Sequence, residues 1–127
     1  MQLLGLRTII YPASDLEASK AWFSGLLGTQ PYFDEPFYVG FNVAGYELAL
    51  DPDGDLAAGP VTYWGVADAD EALAELVAAG AKVRADVRDV GEGIRVASVF
   101  EPGGSIFAVI ENPHFTPAPV HGAGPGR

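Results

Sequence analysis

Tyr46-Glu47-Leu48-Ala49-Leu50-Asp51-Pro52 and Phe107-Ala108-Val109-Ile110-Glu111-Asn112-Pro113 align without a gap. Each opens on an aromatic residue, runs through apolar positions and stops at Asp-Pro or Asn-Pro. Proline cannot donate to a sheet ladder, so both segments read as strands that end at the same point. Recurrence of such a strand end in a short chain points to a duplicated unit, two half-sheets sharing one cavity. The copies differ most where Glu47 aligns with Ala108.

Upstream of each strand end the same order of elements is expected. Leu6 to Ala13 is apolar and rich in strand formers, and Ser14 with Glu17 has capping-box spacing for a helix. Leu16, Ala18, Ala21, Trp22, Leu26 and Leu27 fit helical periodicity, and Gly28 stands where a left-handed cap belongs. Strands are expected near 29–34, 37–43 and 45–51, broken at Pro36 and Ala44-Gly45. The order then restarts: a strand over 61–67, and a helix capped by Asp68 with Glu71 that ends at Gly80. Strands near 81–88, 94–100 and 105–111 complete it. The expectation is one domain over 1–113, with modules of about 4–52 and 60–113, and a mobile tail over 114–127.

Composition narrows the partners. The net charge is −10, with twelve acidic and two basic side chains in residues 1–81 and five of each beyond. That balance repels nucleic acid and would attract a cationic ligand, although helix-start acids and solubility account for much of it. No apolar run is long enough to span a bilayer, and Met1-Gln2-Leu3-Leu4 does not read as a signal peptide. Cysteine is absent, which removes disulfides and thiolate metal sites, and a cytoplasmic protein is expected.

Ile9-Ile10-Tyr11-Pro12-Ala13-Ser14-Asp15-Leu16-Glu17-Ala18, Ala21-Trp22-Phe23 and Leu26-Leu27-Gly28 resemble the vicinal oxygen chelate superfamily. Glyoxalase I, bleomycin-resistance proteins and extradiol dioxygenases are its members. Val66-Ala67-Asp68, Leu76-Val77-Ala78-Ala79-Gly80 and Glu101-Pro102-Gly103-Gly104-Ser105-Ile106-Phe107 carry the resemblance through the second half. It implies an α+β fold: two tandem βαβββ modules forming curled mixed sheets around a cavity, often completed in a homodimer. The superfamily hosts many chemistries, so fold does not name function.

Metal enzymes of the superfamily place four ligands on the first and last strands of the modules. The resemblance carries those positions to Thr8, Glu47, Val61 and Ala108. A catalytic zinc needs about three protein ligands and a water, and Glu47 with a threonine hydroxyl falls short. Asp51, Asp53 and Asp55 imitate the start of a calcium loop, but Thr62 stands where its closing glutamate belongs. His114 and His121 lie at or past the last strand. The expectation is no metal and no cofactor.

Strand alternation puts Thr8, Ile10, Glu47, Ala49, Val61, Tyr63, Ala108 and Ile110 on the cavity face. Tyr46, Leu48, Trp64, Phe107 and Val109 then face the helices, and Trp22 and Phe23 read as packing residues. Glu47 is the candidate catalytic residue, because a carboxylate on an apolar strand must be solvated, paired or used. Thr8, Ile10, Val61, Tyr63, Ala108 and Ile110 join it as candidate ligand contacts. Phe37, Tyr38 and Phe41 add aromatic surface on a strand whose facing the pattern leaves open. Lys82, Arg84 and Arg88 share one strand face and read as guards of a sheet edge rather than as a grip for an anion.

Together these point to a metal-free protein holding a small organic molecule, with a cationic or aromatic drug-like compound as one version. One alternative is a metal-independent isomerase, cyclase or lyase using Glu47 as acid or base. Another is a metal-dependent lyase or dioxygenase with ligands elsewhere.

Overall fold

A computed structural model describes residues 1–115. The element order is β1 (Leu6–Pro12), α1 (Leu16–Leu27), β2 (Phe33–Glu35), β3 (Tyr38–Val43), β4 (Tyr46–Asp51), β5 (Val61–Gly65), α2 (Ala69–Ala78), β6 (Lys82–Gly91), β7 (Ile94–Phe100) and β8 (Ile106–Glu111). The βαβββ unit therefore occurs twice, in an α+β fold with a mixed, curled sheet that does not close. The two half-sheets are one sheet of eight strands, ordered β2-β3-β4-β1-β5-β8-β7-β6. In each module the first strand lies parallel to the last, β1 with β4 and β5 with β8. The antiparallel pair β1–β5 joins the modules.

Local chemistry explains the boundaries. The first helix begins one residue later than the capping-box spacing suggests: Asp15, not Ser14, is the N-cap, and its Oδ1 accepts from the Ala18 N–H at 3.1 Å. Asp68 caps α2 in the same way, accepting from the Glu71 N–H at 3.0 Å. Gly28 ends α1 at φ 68, a left-handed geometry that a Cβ would oppose. The Ala44-Gly45 turn, with both φ values positive, sends β3 back as β4. Strand β2 is shorter than expected because Pro31 has no N–H, so pairing starts with the Tyr32 N–H to the Gly40 carbonyl at 2.9 Å. Strand β6 runs on to Gly91, where a hairpin turn leads into β7.

Two apolar clusters lie between the sheet and its helices. Phe41, Leu50, Val39 and Ala13 pack with Tyr11, Leu16, Phe23, Leu27 and Leu48 under α1. Val109, Ala97, Val66 and Ala72 pack with Leu73, Leu76, Val87 and Phe107 under α2. Leu48, Phe107 and Val109 thus face the helices, as alternation requires. Two aromatic residues expected in the core are not there. Tyr46 is 52% exposed at the start of β4, next to the Ala44-Gly45 turn, and borders a surface cavity instead. Trp22 is 62% exposed and meets only the edge of Phe23, whose ring takes the core position.

With both helices on one face, the other face of the sheet is left for the site. Its floor is close-packed: Ala49 and Ala108 are fully buried, with Thr8 and Ser98 nearly so. No helix of the described residues is long and apolar enough to cross a membrane. His121 and the tail from residue 116 onward lie outside the described residues.

Candidate functional site

Cross-strand register brings Thr8 beside Glu47 and Tyr63, and Tyr63 beside Ala108. One row of the cavity face therefore reads Glu47, Thr8, Tyr63, Ala108. Ile10 pairs with Ala49 and Val61 in the next row. Tyr63, rather than Val61, is thus the β5 neighbour of both Thr8 and Ala108. Ile110 lies two residues past Ala108 and pairs with Gly65. All seven candidate contacts share one face, but not one pocket.

Glu47 is the centre of the first pocket. Thr8 Oγ1 donates to its Oε1 at 2.7 Å, and the Tyr38 hydroxyl donates to the same oxygen at 2.8 Å. Tyr32 donates to Oε2 at 2.5 Å. Thr8 Oγ1 also lies 3.1 Å from the Glu47 carbonyl, but its single proton favours the closer, charged acceptor. The three hydroxyls explain how a half-buried carboxylate stands among apolar neighbours. Burial, then the adjacent carboxylate, pushes the Tyr38 and Tyr32 phenols well above the usual tyrosine range. Both remain donors at any physiological pH.

The strand carrying Tyr38 supplies the room as well as the donor. Tyr38, Gly40 and Asn42 alternate onto the cavity face, whereas Val39 and Phe41 face α1. A Cβ on Gly40 would lie 2.6 Å from Glu47 Oε2 and 3.1 Å from the Tyr32 ring. Glycine here is a condition of the carboxylate's position.

Arg7 enters by a different device. The β1–β5 register shifts between Leu6 and Thr8, leaving Arg7 as an extra residue on β1. Such a bulge re-aims a side chain, and here the guanidinium lies against Gly65, where a Cβ would be 2.7 Å away. Its NH1 donates to the Leu4 carbonyl at 3.0 Å, and its Cζ stands 3.8 Å above the Phe115 ring. Burial draws its pKa down. Arg7, Tyr32, Tyr46, Glu47, Ile110 and Phe115 help enclose a cavity of about 140 Å³.

The second pocket, about 130 Å³, opens on the same face beyond Thr8 and is lined by Ile10, Val61, Tyr63, Arg84 and Arg88 with Asp51. Strand β6 is the sheet edge, as its basic residues suggest, yet Arg84 and Arg88 turn onto the cavity. Burial raises the Tyr63 pKa, while the two arginines pull it the other way.

The family model of the Glyoxalase/Bleomycin resistance protein/Dioxygenase superfamily matches residues 5–109. The chain belongs to this superfamily. Among solved structures it is similar to a variant of Streptomyces coelicolor methylmalonyl-CoA epimerase in complex with 2-nitronate-propionyl-CoA. The identity is 18% over 88% of this chain and 99% of that one, with a TM-score of 0.72. A glyoxalase/bleomycin resistance protein/dioxygenase superfamily member from Vibrio splendidus is 21% identical over 84% and 97%, with a TM-score of 0.66. A hypothetical protein from Bacillus halodurans is 15% identical over 89% and 97%, with a TM-score of 0.69. At such identities the likeness is one of fold. No curated protein matches the chain.

For a superfamily member, the donor set decides whether the metal positions fit a metal. Thr8, Glu47, Val61 and Ala108 offer one carboxylate between them, and hydroxyl donors already engage both its oxygens. Substituting Tyr63 for Val61 by register adds only a phenol. No three His, Cys, Asp or Glu side chains gather among the described residues. The residues present do not fit the superfamily's metal. The Asp51 and Asp55 carboxylates instead accept from the backbone N–H groups of Asp53 and Ala57, at 2.8 and 2.9 Å.

Alternation put Thr8, Glu47 and Tyr63 on the face where the structure has them, left the facing of Tyr38 open, and passed over Tyr32 and Arg7. Tyr38 carried a faint signal, since Tyr38-Val39-Gly40-Phe41-Asn42 alternates and has a glycine in mid-strand. Tyr32 is brought in by the β2–β3 hairpin and Arg7 by a bulge. Neither leaves a local mark in the sequence.

Proposed function

We propose that this superfamily member reversibly holds a small organic molecule over Glu47, the ligand presenting a hydrogen-bond donor or a cationic group to the carboxylate. The observation that carries this reading is the three-hydroxyl cradle. Oε1 accepts two hydrogen bonds and Oε2 accepts one, which leaves acceptor capacity on Oε2 for the ligand. The carboxylate is already oriented, so binding costs little ordering at that end. Tyr46 and Phe115 add aromatic surface to a pocket whose lining is otherwise largely polar, so a ligand there can combine ring contacts with hydrogen bonds. The acidic first half of the chain draws cations from a distance, an effect that salt screens.

A thermal-shift screen of aromatic amines and ammonium compounds, run with and without chelator, tests the reading. The protein should bind at least one with an affinity that chelator leaves unchanged. Glu47→Gln removes the charge while nearly keeping the shape, and should weaken that compound by about tenfold or more. Equal affinity in the variant would remove Glu47 from the site. Conversion of the bound compound, abolished in the variant and indifferent to chelator, would make the protein a metal-independent enzyme.

A further inference from the structure

We infer that Arg84, Arg88 and Tyr63 form a second subsite, one that takes an oxyanion, carboxylate or phosphate, at the far end of the ligand held over Glu47. The link to a single ligand rests on the function proposed above; binding of the oxyanion does not.

The arginines are conspicuous for what they do not touch. Carboxylates outnumber basic side chains in this chain by seventeen to seven. Lys20 accordingly pairs with Glu17 and Asp34, and Arg95 with Asp70 and Glu111. Among the described residues Arg84 and Arg88 have no such ion pair, although both line a cavity. Arg84 NH1 donates to Ser98 Oγ at 3.2 Å, which ties it to the sheet and leaves most of its N–H fork free. Asp51 and Asp55 border the same cavity, but turn N–H groups hold a carboxylate oxygen of each. Among the described residues the pocket therefore offers free guanidinium N–H groups beside the second, open oxygens of Asp51 and Asp55.

Edge protection alone does not account for this arrangement. Guarding an edge asks only that cations point to solvent; Arg84 and Arg88 are exposed like Lys82 but, unlike it, also line the cavity. The β6–β7 register shifts between Val83 and Ala85, and again between Ala85 and Arg88. Through them Arg84 and Arg88 keep the face that plain alternation gives them, and Arg88 stands opposite Val96, the partner of Ile110 on the cavity face. There they meet Tyr63, whose buried phenol stays protonated and adds a donor. Two guanidinium forks and a phenol suit a planar carboxylate or a phosphate. Tyr63 neighbours Thr8 across the β1–β5 ladder, so the two pockets adjoin.

Benzoate, its uncharged counterpart benzamide, and inorganic phosphate serve as probes for titration calorimetry on the full chain. Benzoate, phosphate or both should bind, and the preferred one states which oxyanion the site takes. Arg84→Gln/Arg88→Gln should weaken that probe by about tenfold or more, while Arg88→Lys retains part of the affinity. Lys82→Gln, on the same strand but outside the pocket, should change nothing. Glu47→Gln should leave benzoate or phosphate binding intact, so a failed Glu47 reading and a failed oxyanion subsite are told apart. The inference is overturned if neither anion binds, if benzamide matches benzoate, or if Lys82→Gln weakens binding as much as the double variant.

Discussion

Glu47 is tolerated on an apolar strand because three hydroxyls meet it, and they do not contribute equally. Tyr38 is largely buried against the carboxylate, whereas the ring of Tyr32 is 63% exposed and water can replace its hydrogen bond. Tyr38→Phe should therefore cost about 1–2 kcal/mol in urea unfolding, and Tyr32→Phe no more than about 0.5 kcal/mol. The reverse order would show that Tyr32, not Tyr38, anchors the cradle. Gly40 belongs to the same unit, since the space over it is the space Glu47 and Tyr32 fill.

Among the elements, the β7–β8 connection carries a charge with a readable consequence. The Glu101 carboxylate accepts from the backbone N–H groups of Gly103 and Ser105, which hold its pKa below the ordinary 4.5. A carboxyl group with a lowered folded-state pKa stabilises the fold fully above its unfolded value and loses that contribution as pH falls through the folded one. The turn should weaken on acidification below about pH 4.5, and not on the alkaline side. Urea midpoints followed from about pH 6 to pH 3 should fall less steeply in Glu101→Gln than in the parent. Parallel curves would mean the unfolded chain makes the same hydrogen bonds. The β1 and β6 irregularities are a second property of elements. The one in β1 moves Arg7, which simple alternation would assign to the helix face, toward Glu47; those in β6 leave Arg84 and Arg88 on the face that alternation gives them, beside the second pocket.

Duplication suggests two units that unfold separately, but the molecule is tied at its middle. The β1–β5 ladder is continuous with both halves of the sheet, and each module would expose an edge strand without the other. The two apolar clusters are thus coupled through one sheet, and a single cooperative transition is expected. Trp22 and Trp64 report on opposite halves, so Trp22→Phe and Trp64→Phe each leave one probe. Unfolding followed by fluorescence in each variant, beside circular dichroism of the same sample, should give coincident midpoints. Distinct midpoints within a sample would show that the modules unfold independently.

The repeated strand ends, the helix caps at Asp68 and Gly28 and the two-residue alternation were enough to give the βαβββ order and the face on which Thr8, Glu47 and Tyr63 lie. These are local properties, set by backbone sterics and by side-chain spacing along one segment. Even locally a one-residue ambiguity survived, because Ser14 and Asp15 can both cap and only helix geometry selects Asp15. What surrounds Glu47 was not legible: Tyr32 lies 15 residues away in the chain and Thr8 lies 39. Their meeting depends on strand order and register. The same holds for Arg84 and Arg88, since only the laying of β6 against β7 and β8 brings their face beside Tyr63. The carboxylate was written in the sequence; its partners exist only once eight strands have been laid side by side.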